Sequence, residues 1–229
     1  MKNGINMFGK KNFVGTFAPP FAVINDLALM DSLTLRDRIS GISEIIKVAL
    51  LKDAGLFAEL ERLAPRLAAG DLDALEGVVR SSLEWHLNHI CSTGDPFEQG
   101  SARPLDFGHW SAHKLESLTS HRIRHGEAVA IGMAIDVRYA MLAGYLPEAT
   151  GRRILNVIAA VGLPVWDPAV NERNARGELA VVAGLQEFRE HLGGTLHVTM
   201  LRDIQQPFEV MEMQSALVEQ AILDLAPVH

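Results

Sequence analysis

The chain has 229 residues, 48 % of them hydrophobic and 21 % charged, which suits one large or two small globular domains and excludes a disordered polymer. A net charge of −7 argues against a nucleic-acid backbone binder, which needs a basic face, yet leaves room for a phosphorylated substrate in a local cationic pocket. The single cysteine, Cys91, excludes a disulfide framework and fits a reducing cytoplasm; no apolar run approaches the ~20 residues of a membrane span, and the N-terminus lacks an apolar signal core.

Residues 2–17 mix Gly, Asn and Lys and read as loop with short extended pieces. Pro19-Pro20 forces extended backbone, so FAVIND (21–26) is predicted as a short buried strand. From Thr34, a plausible N-cap, Ile39, Ile42, Ile45, Ile46 and Ala49 recur at helical spacing. Leu56–Ala64 is predicted as a second helix stopped or kinked at Pro65, and Leu72–Ile90 as a long third. Residues 95–104 read as loop. Two helices follow, about 108–119 and 126–144, then Pro147–Val161 with Gly162 as its stop. A helix over 174–190, a break at Gly193-Gly194, a hairpin of TLHVTML with FEVMEM, and a helix over 214–225 complete the chain.

Chemical potential concentrates between Arg103 and Met133. His109 and His113 stand at i, i+4 on one predicted helical face, and His125 follows a short turn. A catalytic metal takes three protein ligands and keeps a position open, and a histidine and carboxylate set suits Zn2+ or Co2+. Glu44, set among Ile42, Ile45 and Ile46, is a candidate third ligand, because an unpaired carboxylate is costly to bury. Spacing alone leaves a metal centre and ordinary helix-end histidines equally open. Lys47, three residues after Glu44, either holds an anion or snorkels. Lys2, Lys10, Lys11 and Asn12 form a cluster that can bind phosphate, though a basic loop is usually just solvated. Lys114 and Glu116 read as an exposed face, His86 and His89 as structural, Trp85, Trp110 and Trp166 as core, and Cys91 as a small buried residue. No GxGxxG, P-loop or GxSxG occurs.

Taken in order, KNGIN…GKKN, SEIIK, GHWSAHKLE and HGEAVAIGM resemble the dehydroquinate synthase family of sugar phosphate cyclases, from Lys2 to about Met213. The resemblance implies a mainly α fold: a helical C-terminal metal and substrate domain over 33–229, a remnant strand of an N-terminal NAD-binding α/β domain within 1–32, and a small β hairpin near the C-terminus. It implies Glu44, His109 and His125 as Zn2+ or Co2+ ligands. It implies His113 as the histidine that faces substrate phosphate and assists proton transfer, with Lys47 as its catalytic partner. Lys47 and Asn12 fall on substrate-binding positions, and Lys2 and Lys11 on positions near NAD and phosphate. In such a reaction NAD+ transiently oxidises a ring hydroxyl, phosphate is eliminated, the ketone is reduced again, and the ring opens and recloses on carbon.

Departures from the family pattern bear on the substrate. The lysine and arginine that read a substrate carboxylate fall on Asn88 and Ala102, with Arg103 one residue off. The asparagine before the GH is Asp106, and Arg189 is the best remaining cation near the C-terminus. LDFGH and EFREHLGG resemble the valiolone-synthase branch, which implies a neutral substrate such as sedoheptulose 7-phosphate. The alternatives are 3-dehydroquinate synthase proper, a metal-dependent alcohol dehydrogenase type, and an inactive metal-binding or scaffold protein. The chain begins where the family's NAD domain ends, so most of the dinucleotide site is expected to lie elsewhere. A cytoplasmic homodimer, without nucleic-acid or membrane partners, is the expected setting.

Overall fold

The periodic segments fold as helices, and the candidate site lies where three of them cross. The computed structural model describes residues 2–7, 10–17, 21–92, 104–191 and 195–227. In chain order these form β1 (Lys2–Met7), β2 (Lys10–Phe17), α1 (Leu35–Lys52), α2 (Ala54–Ala68), α3 (Leu72–Ser92), α4 (His109–Leu118), α5 (His125–Leu142), α6 (Glu148–Ala160), α7 (Ala183–His191), β3 (Val198–Asp203), β4 (Gln206–Val210) and α8 (Ser215–Leu225). Among the described residues, no helix is long and apolar enough to cross a membrane.

α5 is the axis of the body. Its sequence is apolar almost all round, the pattern of a helix enclosed on every side. It packs against α1, α4, α6, α8 and β3. Val129, Ile131, Met133, Ile135 and Val137 are all buried, each worth about 1.5–3 kcal/mol over exposure. α1 begins as its sequence foretells: the Thr34 hydroxyl accepts from the Asp37 amide at 3.2 Å. Ile42, Ile45, Ile46 and Ala49 then face the core. Gly162, at φ +91°, stops the turn after α6. β3 and β4 pair antiparallel from Val198↔Val210 to Asp203↔Gln206, the predicted C-terminal hairpin.

Several expectations need correction. Residues 21–26 are not a buried strand: the segment is irregular, and Phe21 and Ile24 are 108 % and 90 % exposed. Extended backbone is a strand only when it finds a pairing edge; here it runs instead into a 3-10 turn at Leu27–Ser32, capped by Asp26. The expected loop at 2–17 is a hairpin, with Ile5 opposite Val14 and a register shift before Met7. Its Gly, Asn and Lys content hid the alternation that marks a strand. Pro65 neither stops nor breaks α2, because Leu63, Ala64 and Leu67 are buried and the helix has only one turn left to run. The helix expected at 174–190 is confined to α7; a tight turn with an Arg173↔Leu179 bridge and a 3-10 turn at Ala180–Val182 precede it. Most of the loop expected at 95–104 lies outside the described residues.

Of the tryptophans, Trp110 is buried as expected. Trp85 is not core: it is 37 % exposed and its indole donates to Asp53, the N-cap of α2, at 2.8 Å.

Candidate metal centre

Glu44 comes from the middle of α1, His109 from the first turn of α4, and His125 from the first turn of α5. Two staples bring these elements into register. Arg36 grips Glu127 with two bonds of 2.6 and 2.7 Å and also donates to the Arg122 carbonyl at 3.0 Å. Glu127 in turn accepts from the Arg124 amide at 2.9 Å, closing the amino end of α5. These bonds hold the Glu127 carboxyl below its usual range, Arg36 foremost, although partial burial opposes them. One turn further on, α1 lies so close to α5 that a Cβ on Gly126 would fall 2.0 Å from the Ser40 carbonyl oxygen. Glu44 therefore arrives opposite His125.

α4 is seated on α5 in the same manner. Gly108 adopts φ +78°, a conformation that other residues rarely accept, and its oxygen fills the space a side chain on Gly132 would need. From this seat His109 and His113 project one turn apart. Their ring centroids are 5.5 Å apart, and His125 lies 5.6 Å from His109 and 6.1 Å from His113.

The ligand atoms of Glu44, His109 and His125 all lie within 4.8 Å of one another. Glu44 Oε2 pairs with the buried Lys47 ammonium at 2.5 Å. Glu44 Oε1 is shielded from solvent and makes no hydrogen bond; the nearest imidazole nitrogen, His125 Nε2, is 4.0 Å away. Such an orphaned acceptor is costly unless something binds it. Both histidines have Nδ1 occupied, His109 with the Phe107 carbonyl and His125 with Glu116 Oε2, each at 3.1 Å. That leaves Nε2 of each as the donor atom, oriented from behind by an oxygen. Burial above all, with the charge of Lys47 next, pushes the His109 imidazole well below its ordinary range. It is therefore neutral at neutral pH, the state a metal requires. An unbonded carboxylate oxygen with two imidazole nitrogens fits a divalent cation such as Zn2+.

His113, Glu116 and His125 form a second group of equal compactness. There Glu116 Oε2 is already engaged with His125 Nδ1, so Glu116 supports the first trio rather than competing with it. Glu116 corrects an expectation: it is buried, not on an exposed face, because the turn at 119–124 folds His125 back over α4. Its place seven residues after His109, on the same helical face, was the signal available in the sequence. Lys114 is also mostly covered, paired with Glu187 of α7.

The other expected site residues lie on other elements. Lys2, Lys11 and Asn12 lie on β1 and β2, with their side chains outside what is described. Asp106 is half-buried in a 3-10 turn just before α4. Arg189 lines a separate cleft of about 530 Å3 with Gln186, Thr195 and Met213, and none of Glu44, Lys47 or the three histidines lines it. Asn88 is exposed near the end of α3, and Ala102 lies outside the described residues.

Residues 41–180 match the model of the 3-dehydroquinate synthase C-terminal family, a stretch that contains Glu44, Lys47, His109, His113 and His125. The chain belongs to this family. Among its relatives, a 2-epi-5-epi-valiolone synthase of Streptomyces glaucescens is 38 % identical over 170 residues, 74 % of this chain and 43 % of that protein. A 3-dehydroquinate synthase of Cereibacter sphaeroides is 34 % identical over 227 residues, 96 % of this chain and 59 % of its own length. The structure of ValA, a 2-epi-5-epi-valiolone synthase from Streptomyces hygroscopicus subsp. jinggangensis solved with NAD+ and Zn2+, superposes with a TM-score of 0.87 at 30 % identity; the match covers 98 % of this chain and 61 % of ValA. A 2-deoxy-scyllo-inosose synthase, with a TM-score of 0.73 at 19 % identity, shares the fold. This chain thus spans about two-fifths to three-fifths of the length of the family members it matches.

Proposed function

We propose that this chain carries the metal and substrate half of a metal- and NAD-dependent sugar phosphate cyclase, which eliminates phosphate from a heptulose phosphate and closes a carbocycle. The observation that carries the reading is the orphaned Glu44 Oε1 set against the free faces of His109 and His125. Those three residues would hold Zn2+ or Co2+, which supplies Lewis-acid polarisation of a carbonyl when bound. Lys47, buried beside Glu44, fixes the carboxylate and adds positive charge for an anionic substrate group. His113, half-buried beside both ligand imidazoles, takes or returns a proton at a group bound there. Asn12 and Lys2 are assigned to substrate phosphate, and Lys2 and Lys11 to NAD, by their motif positions. Asp106 is assigned to the sugar by its place before the GH, and Arg189 as the remaining cation of the C-terminal segment.

Asp106, Asn88 and Ala102 favour a neutral substrate such as sedoheptulose 7-phosphate, since a carboxylated one would lose its cationic partners. The fit to ValA, at a TM-score of 0.87, supports the same choice. The second reading is 3-dehydroquinate synthase proper, favoured by the 34 % match along 96 % of the chain. Phosphate release is to be measured with Zn2+ or Co2+ and NAD+, on this chain and on this chain fused to the part of ValA that the match leaves uncovered. Release from sedoheptulose 7-phosphate alone is the expected result. Release only from the carboxylated heptulosonate phosphate supports the second reading, and silence from both proteins sinks the cyclase.

A further inference from the structure

Asp136 is a fully buried carboxylate that no step above uses. It lies on α5 among Ile135, Val137 and Met133, where a charged group costs several kcal/mol unless its surroundings compensate. Both oxygens are engaged, and both partners flank His109. Oδ2 accepts from the Gly108 amide at 3.0 Å, and Oδ1 accepts from the Trp110 indole N–H at 2.7 Å. Gly108 is the N-cap of α4 and has no capping side chain. The amino end of that helix is therefore fixed from across the helix interface, not by its own sequence. The His109 imidazole has one orienting bond, to the Phe107 carbonyl in the same turn. Its ring direction consequently follows the pitch of residues 107–110.

We propose that Asp136 is a positioning residue for the metal centre: its carboxylate, tied to Gly108 and Trp110, sets the pose of His109 between them. This rests on the metal reading above. Asparagine at 136 keeps the shape but offers one acceptor to two donors, so its NH2 must face either Gly108 N–H or the indole N–H. His109 then loses its fixed pose, although Asp136 touches no ligand atom. Replacing groups that orient ligands from behind typically weakens metal binding about 10- to 100-fold.

The test is Co2+ binding to the purified chain, followed by visible absorption, for the parent, Asp136→Asn and Trp110→Phe. Leu60→Ala in α2, buried but outside the centre, serves as the control for lost thermal stability. Asp136→Asn is expected to bind Co2+ about 10- to 100-fold more weakly and with shifted absorption bands. Trp110→Phe, which keeps the Gly108 bond, is expected to show a smaller fall in the same direction, and the control to stay within about twofold of the parent. Asp136→Asn matching the control in affinity and spectrum overturns the proposal and leaves the metal reading standing. If Asp136→Asn does not fold, Trp110→Phe decides by the same comparison. A parent that takes up no Co2+ overturns both.

Discussion

Around the seam of α4 and α5, Ile131, Met133 and Ile135 are at most 1 % exposed, whereas near the N-terminus Phe21, Ile24 and Leu29 stand 108 %, 90 % and 66 % exposed. The same residue types meet opposite surroundings within one chain. At the seam, backbone approaches backbone through Gly108 and Gly132, and Gly126 does the same against Ser40 of α1; His109 and His125 issue from the helix ends held there, and Glu44 faces them from the middle of α1. In the N-terminal stretch, extended backbone and apolar side chains meet no such surface. Side-chain pattern alone does not make a site or a strand; opposing structure must fix it.

The contrast can be broken most severely at the seam. Gly132→Ala places a methyl 2.0 Å from the Gly108 backbone oxygen and 2.7 Å from the Ser111 hydroxyl, and the backbone oxygen cannot swing aside. A loss of about 3 kcal/mol in urea unfolding is expected; a loss below about 1 kcal/mol means that the two helices separate readily and hold nothing in place.

An effect of intermediate size belongs to Asp136. Burial pushes its carboxyl up to about 7, against the opposing pull of the Trp110 and Gly108 bonds. The folded value lies above the unfolded one, so the contribution is full below about pH 4 and is lost as pH rises through about 7. The gap in Tm between the metal-free parent and Asp136→Asn should therefore narrow from pH 5 to about pH 7 and level off above it. A gap that widens over that range reverses the sign and shows that the folded state favours the ionised carboxylate.

Much of this contrast was legible in the sequence, and the exceptions have physical causes. The stripe Ile39, Ile42, Ile45, Ile46 and the Thr34 cap foretold α1, because local spacing and burial agree there; the helices expected over about 108–119 and 126–144 are α4 and α5. The resemblance of SEIIK, GHWSAHKLE and HGEAVAIGM grouped Glu44 with His109 and His125, and the structure brings these three together. Glu116 behind His125 was missed because the contact spans a reversal of the chain at 119–124, which helical spacing does not register. Asp136 was missed because one acid in an apolar run carries no sign of partners 26 and 28 residues earlier. FAVIND misled because a strand depends on a pairing edge supplied from elsewhere.

The smallest effect is expected in the exposed stretch. Phe21→Ser and Ile24→Ser should each leave unfolding stability of the isolated chain within about 0.5 kcal/mol. A larger loss shows that these side chains pack on something in solution, and the contrast with the seam then disappears.

The central claim is that Glu44, His109 and His125 together bind a divalent cation. Anomalous diffraction at the zinc edge, from crystals of the chain grown with Zn2+, tests it most directly. A single strong peak bounded by Glu44 Oε1 and Nε2 of both histidines is the expected result. No peak, or one seated among His113, Glu116 and His125 with Glu44 left unbound, contradicts it.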